Sequence, residues 1–98
     1  MNRVLSMNEE LKQYISEHKG LFWYTPESKL HTISSSFLVE TILNYGDMDA
    51  VRNLFEIMGI DNVAKIFFED TDRSKRRKNN YQELTLNYFT LLFNRYAH

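Results

Sequence analysis

The chain has 98 residues, with 12 Lys and Arg against 13 Asp and Glu, three His, three Gly, one Pro and no Cys. That length fits one domain, residues 1–98, with a core large enough to fold alone. The lack of Cys excludes a disulfide framework, a thiolate nucleophile and a Cys-based zinc site. Scattered His and isolated Gly leave little material for a metal cluster or a phosphate-cradling loop, so no metal and no cofactor is expected. No apolar run approaches the roughly 18 residues of a membrane span, and no signal-peptide pattern opens the chain; a cytoplasmic protein is expected.

In chain order the pattern reads as helices, giving an all-α domain of about five short helices. Ser6 and Glu9 have capping-box spacing, so a first helix opens at Met7 and carries Leu11, Tyr14, Ile15 and His18 on one face. Gly20 is its expected left-handed stop. Leu21-Phe22-Trp23-Tyr24, closed by Thr25 before Pro26, predicts an extended aromatic segment over residues 21–25 docked on the helices, with Phe22 and Trp23 as core anchors. Residues 27–33 read as a polar connector. Ser34 or Ser35 caps a second helix to Tyr45, with Gly46 as its stop. Asp47 caps a third, striped by Val51, Leu54, Phe55 and Met58 and ended by Gly59. Asp61 caps a fourth, through Val63, Ile66 and Phe67 to about Glu69. Residues 70–80 then read as a basic irregular loop, followed by a last helix over about Tyr81 to Tyr96.

The last helix is unusual. Its apolar residues sweep about 220° of the circumference, leaving Asn87, Thr90 and Asn94 as a narrow polar wedge. Either it is central, wrapped by the other helices, or part of it meets another chain. Seven Phe, six Tyr and Trp23 make a high aromatic load for so small a domain. Tyr and Trp are favoured at interfaces, because they join a large contact area to a polar tip. The expected protein interface is therefore Phe89, Phe93 and Tyr96, against a partner protein or a second copy.

The near-zero net charge is a cancellation. Residues 1–72 carry −6 and residues 73–98 carry +5, with five cations between Arg73 and Lys78. Arg73, Lys75, Arg76, Arg77 and Lys78 are thus candidates for gripping phosphates or an acidic partner, Arg76 and Arg77 being the better bidentate donors. The alternative is a solvated loop whose like charges keep it open. Helices three and four, joined by Gly59-Ile60-Asp61, have helix–turn–helix lengths. Against that motif, helix four offers Lys65 as its only cation before Glu69, Asp70 and Asp72, and bulky Phe55 stands where close approach is needed. A plain αα-corner is the better reading.

Catalytic constellations are thin. His18 lies on an apolar face, His31 in the connector and His98 at the last position, and no Ser sits in a nucleophile elbow. Asp47 and Asp49 read as a cap and a first-turn acid; Asp70 and Asp72 could hold a cation loosely, but no EF-hand pattern surrounds them. A non-enzymatic protein is expected.

Several stretches carry a resemblance: Leu21-Phe22-Trp23, the run Phe37 to Asp47 with its Tyr45-Gly46-Asp47 junction, Leu54 to Gly59, Val63 to Phe67, and Leu84 to Phe89. Together they resemble a family of small bacterial helical proteins of unassigned function. Some of its members are antitoxin-like neighbours of nucleotidyltransferase-type toxins. The resemblance spans roughly residues 21–93 and supplies no catalytic residue. It implies a small interaction protein whose partner is a protein such as a toxin. An antitoxin can bind both a toxin and its own operator, so nucleic acid at residues 73–78 stays open as the alternative function.

Overall fold

The computed structural model describes residues 9–22 and 33–96. They form six α-helices and one 3-10 turn: α1 (Glu9–Glu17), the turn Lys19–Phe22, α2 (Ser35–Tyr45), α3 (Met48–Met58), α4 (Ile60–Arg73), α5 (Lys75–Asn79) and α6 (Glu83–Tyr96). The all-α expectation holds, and no strand occurs among the described residues. Ser6, Met7, Trp23, Tyr24, Thr25, His31 and His98, and residues 27–32 of the connector, lie outside the described residues.

The core is organised around α2. Leu38, Val39 and Ile42 are fully buried, and even its Ser35, Ser36 and Thr41 are inaccessible. This helix is apolar nearly all round, the signature of a helix enclosed by others. Its start is fixed by Ser34, whose Oγ accepts from the Phe37 N–H at 3.1 Å. The α2–α3 corner turns on Gly46 and Asp47. The Asp47 carboxylate accepts from the Ala50 N–H at 2.8 Å and starts α3. Gly46 has ordinary extended dihedrals and serves by its missing side chain: a Cβ there would stand 2.8 Å from the Ile42 carbonyl oxygen and 3.1 Å from the Ala50 Cβ. Gly59, at φ +88°, ends α3 in the left-handed region where only glycine is unstrained.

Across this centre α3 and α4 set Leu54, Val63 and Phe67, all fully buried, while α1 adds Leu11, Tyr14 and Ile15. Phe22 anchors the 3-10 turn, as expected, at 1% exposure. The Tyr14 hydroxyl donates to the Ala50 carbonyl at 2.7 Å and ties α1 to α3. Burial, helped by the Asp47 charge, pushes that phenol well above its usual range and keeps it a donor.

Four local expectations need correction. Leu21 and Phe22 are 3-10 helical, not extended. Gly20 lies inside that turn and does not take positive φ, because the chain keeps coiling to bring Phe22 inward. Asp61 sits in the first turn of α4 and does not cap it; Gly59 holds the cap position with no side-chain bond. Finally, residues 70–80 are not irregular. α4 continues to Arg73, and Ser74 then caps α5, its Oγ accepting from the Arg77 N–H at 3.1 Å.

Candidate functional site

α6 lies on the outside of the bundle. Of its 14 residues only Phe89 and Phe93 are buried, so of the two alternatives for its wide apolar arc, the central position is excluded. Phe93 stands at 0% exposure, with its ring 5.3 Å from Phe67, 5.5 Å from Phe89 and 5.8 Å from Phe55. Phe89 and Phe93 are therefore core residues of the chain and not surface residues, which corrects the expected interface. Tyr96 is exposed, and the Arg95 guanidinium lies over its ring at 5.4 Å.

The apolar residues that do face outward are different ones. Leu84 is 84% exposed and Leu91 is 72% exposed, with Tyr88 half-exposed between them. At about 100° per residue, Leu84, Tyr88, Leu91 and Arg95 form one stripe opposite the buried Phe89/Phe93 side. The sequence held this signal: an arc of about 220° is too wide for one contact, so α6 has two apolar faces, one turned inward and one outward. Leu84 and Tyr88 also border a groove of about 330 Å³ lined by Leu43, Met48, Val51 and Phe89. Met48, at the start of α3, is exposed on its rim. Burying such side chains is worth about 1.5–3 kcal/mol each, an ample driving force for contact.

The basic segment divides into two roles. Arg73, Lys75, Arg76 and Lys78 are exposed. Arg77 is turned back: its Nη1 donates to the Glu40 Oε2 at 3.4 Å. Asn80 donates to the same oxygen at 3.4 Å. One turn further along α2, Asn44 donates to the Asn80 carbonyl and accepts from the Gln82 N–H, both at 3.0 Å. These four bonds fasten α5 and the turn into α6 onto α2, which is why a run of like charges is helical here. A capping serine, cations in the last turn and good helix formers supply the local part. The long-range part comes from Glu40 and Asn44, some 36 to 40 residues away, and no local pattern shows it.

Glu40 has a side chain only 14% exposed. Burial raises its carboxyl above the ordinary value of 4.5; the Asn80 hydrogen bond and the Arg77 charge pull it down, and Asp70 pushes it up. Burial outweighs the ion pair. A carboxyl with a raised folded value adds stability that is full below about pH 4.5 and is lost as pH rises through the raised value. The expected result is a stability difference, wild type minus Glu40→Gln, that tilts toward wild type as pH falls from about 7 to about 4.5. Urea unfolding of both proteins across that range checks it; a flat difference would contradict the burial argument.

Beside this latch Tyr81 packs on Phe67 at 5.1 Å, and its phenol is pushed far up by burial and by Glu40 and Asp70. Elsewhere His18 Nδ1 lies 2.8 Å from the Tyr14 carbonyl, with its ring against Tyr14 at 4.4 Å, a packing arrangement. Among the described residues no group of three or more His, Asp or Glu gathers to hold a metal ion. No helix among them is long and apolar enough to cross a membrane. No family model matches the chain, and no curated protein or solved structure matches it either.

Proposed function

We propose that the chain is a small non-enzymatic interaction protein of the antitoxin-like kind, acting in the cytoplasm, which buries the outward face of α6 against another protein. The observation that carries this reading is the stripe Leu84, Tyr88, Leu91, exposed on a helix whose other face is already fully used in the core. Contiguous exposed apolar surface of this sort marks contact sites, because water is otherwise left against it. Tyr96 is also exposed, on the flank of that stripe. Phe89 and Phe93 support it from behind by fixing the helix.

The test is retention of a partner from the native host extract at physiological salt. Wild type should hold a defined protein, or itself, and Leu91→Asp should lose it by at least about tenfold, a charge in an apolar contact costing more than about 1.4 kcal/mol. Equal retention by both proteins would sink the α6 reading.

A second reading is favoured by the order in α5. With Arg77 engaged by Glu40, the cations Arg73, Lys75, Arg76 and Lys78 stand on a fixed helical corner and not on a wandering loop. A nucleic-acid regulator would use that corner for phosphates. Binding of mixed-sequence DNA would then weaken steeply with salt, and Lys75→Ala with Arg76→Ala would flatten the slope by about 2.

A further inference from the structure

The outward stripe of α6 is complementary to itself when two helices run antiparallel. Leu84, Tyr88, Leu91 and Arg95 follow one another along it, with Glu83 in the first turn and Arg95 in the last. A two-fold axis crossing the helix between residues 89 and 90 lays Tyr88 of each copy on Leu91 of the other. It also sets Leu84 under the aliphatic stem of the second copy's Arg95. The same register carries that guanidinium to the helix end that bears Glu83 on its flank, so each end of the contact holds unlike charges. A parallel pairing would face Arg95 with Arg95 and Glu83 with Glu83, and would align the two macrodipoles.

The groove agrees with this register. It opens along Thr85, Tyr88 and Phe89. At about 100° per residue these lie on the flank of the stripe that also carries Tyr96. The two-fold keeps like flank beside like flank, so the second copy's exposed Tyr96 comes to the side where the groove and Met48 stand. We infer that the α6 face is closed by a second copy of this chain, in an antiparallel α6–α6 pair extended at each end by the groove rim. This names the occupant of the face proposed above and rests on that proposal. One helix stripe with a groove rim buries less than the roughly 800 Å² per partner of a standard stable interface. The pair is therefore a concentration-dependent one, dissociating on dilution through the micromolar range.

Sedimentation equilibrium of the full chain tests the stoichiometry, and engineered cysteines test the register, since the chain has none of its own. Wild type should pass from monomer to dimer with concentration, while Leu91→Asp stays monomeric with an unchanged thermal melt. Residues 84 of the two copies would lie about 16 Å apart along an antiparallel pair, beyond disulfide reach. Leu84→Cys should therefore fail to cross-link to itself, yet form a mixed disulfide with Arg95→Cys. A homodisulfide of Leu84→Cys, or a dimer indifferent to Leu91→Asp, would overturn the inference. So would a wild-type monomer at every concentration. In that last case the host-extract test decides separately: a foreign partner lost in Leu91→Asp keeps the interaction function and replaces only the occupant. A monomer that Leu91→Asp destabilises instead points to coverage by the chain's own segments and removes both.

Discussion

Phe93→Ala should cost about 3–5 kcal/mol of folding stability, a large part of what a domain of this size possesses. With Phe89, Phe93 is one of the two buried side chains that hold α6 to the bundle. Its ring meets Phe55 of α3, Phe67 and Phe68 of α4 and Phe89 of its own helix, at centroid distances from 5.3 to 6.2 Å. Most of these contacts are edge-to-face, the arrangement in which the positive rim of one ring meets the negative face of the next. Truncation to alanine leaves a cavity that several aromatic rings border, and rings so interlocked cannot collapse into it without leaving their rotamers. At about 4–8 °C per kcal/mol, the melting temperature falls by more than about 12 °C. The control lies on the same helix. Leu84→Ala removes a side chain that is 84% exposed and should change stability by less than about 0.5 kcal/mol. Thermal and urea unfolding of the two variants gives the contrast directly; similar losses would mean that the two faces of α6 are not distinct.

Gly46→Ala is the second large effect, expected at about 1–3 kcal/mol. The cause is not backbone conformation, since φ −75° and ψ 153° suit any residue. It is space. The added methyl would stand 2.8 Å from the Ile42 carbonyl oxygen, which cannot withdraw because it accepts the Gly46 N–H, also at 2.8 Å. The Ala50 Cβ, at 3.1 Å, closes the other side. Relief requires α3 to move from α2, which loosens the Ala50 carbonyl that Tyr14 holds. Gly59 is the instructive opposite: the nearest atom to an added Cβ there is Asn62 Nδ2 at 3.6 Å, but φ is +88°. Gly59→Ala costs about 1–3 kcal/mol through its dihedrals, φ +88° with ψ 132°, and not through a steric clash. Denaturant unfolding of both variants tests the two causes, and a harmless Gly46→Ala would refute the close packing of the corner.

Much of this architecture can be read from local signals. Ser34 and Asp47 cap where a polar residue precedes an apolar period, and Leu54, Val63 and Phe67 fall inside because helical spacing puts them on one stripe. What local signals cannot rank is one apolar helix against another. α2 and α6 both read as broadly hydrophobic, and only the tertiary arrangement makes α2 central and leaves Leu84 and Leu91 of α6 outside. The choice of Phe89 and Phe93 as contact residues failed for that reason: bulky aromatics mark a core as readily as an interface. The basic segment failed differently. A window from Asp70 to Asn80 shows charged and polar residues with no apolar period, so it reads as a loop. The residues that order it, Glu40 and Asn44, belong to a helix half the chain away.

Arg77 has a consequence for the molecule's field. By holding α5 against α2 it gives the cations at 73–78 a fixed direction relative to a body in which residues 1–72 carry −6. A charge separation with a fixed direction is a permanent electric dipole moment, whereas a mobile basic tail would average most of it away. In dilute buffer such molecules orient one another, positive corner toward negative body, before any surfaces touch. At physiological ionic strength the screening length of about 8 Å is shorter than the 12.7 Å radius of gyration, and that orientation vanishes. The contact proposed for the leucines of α6 needs no such field, so added salt would separate encounters guided by charge from association driven by the expulsion of water.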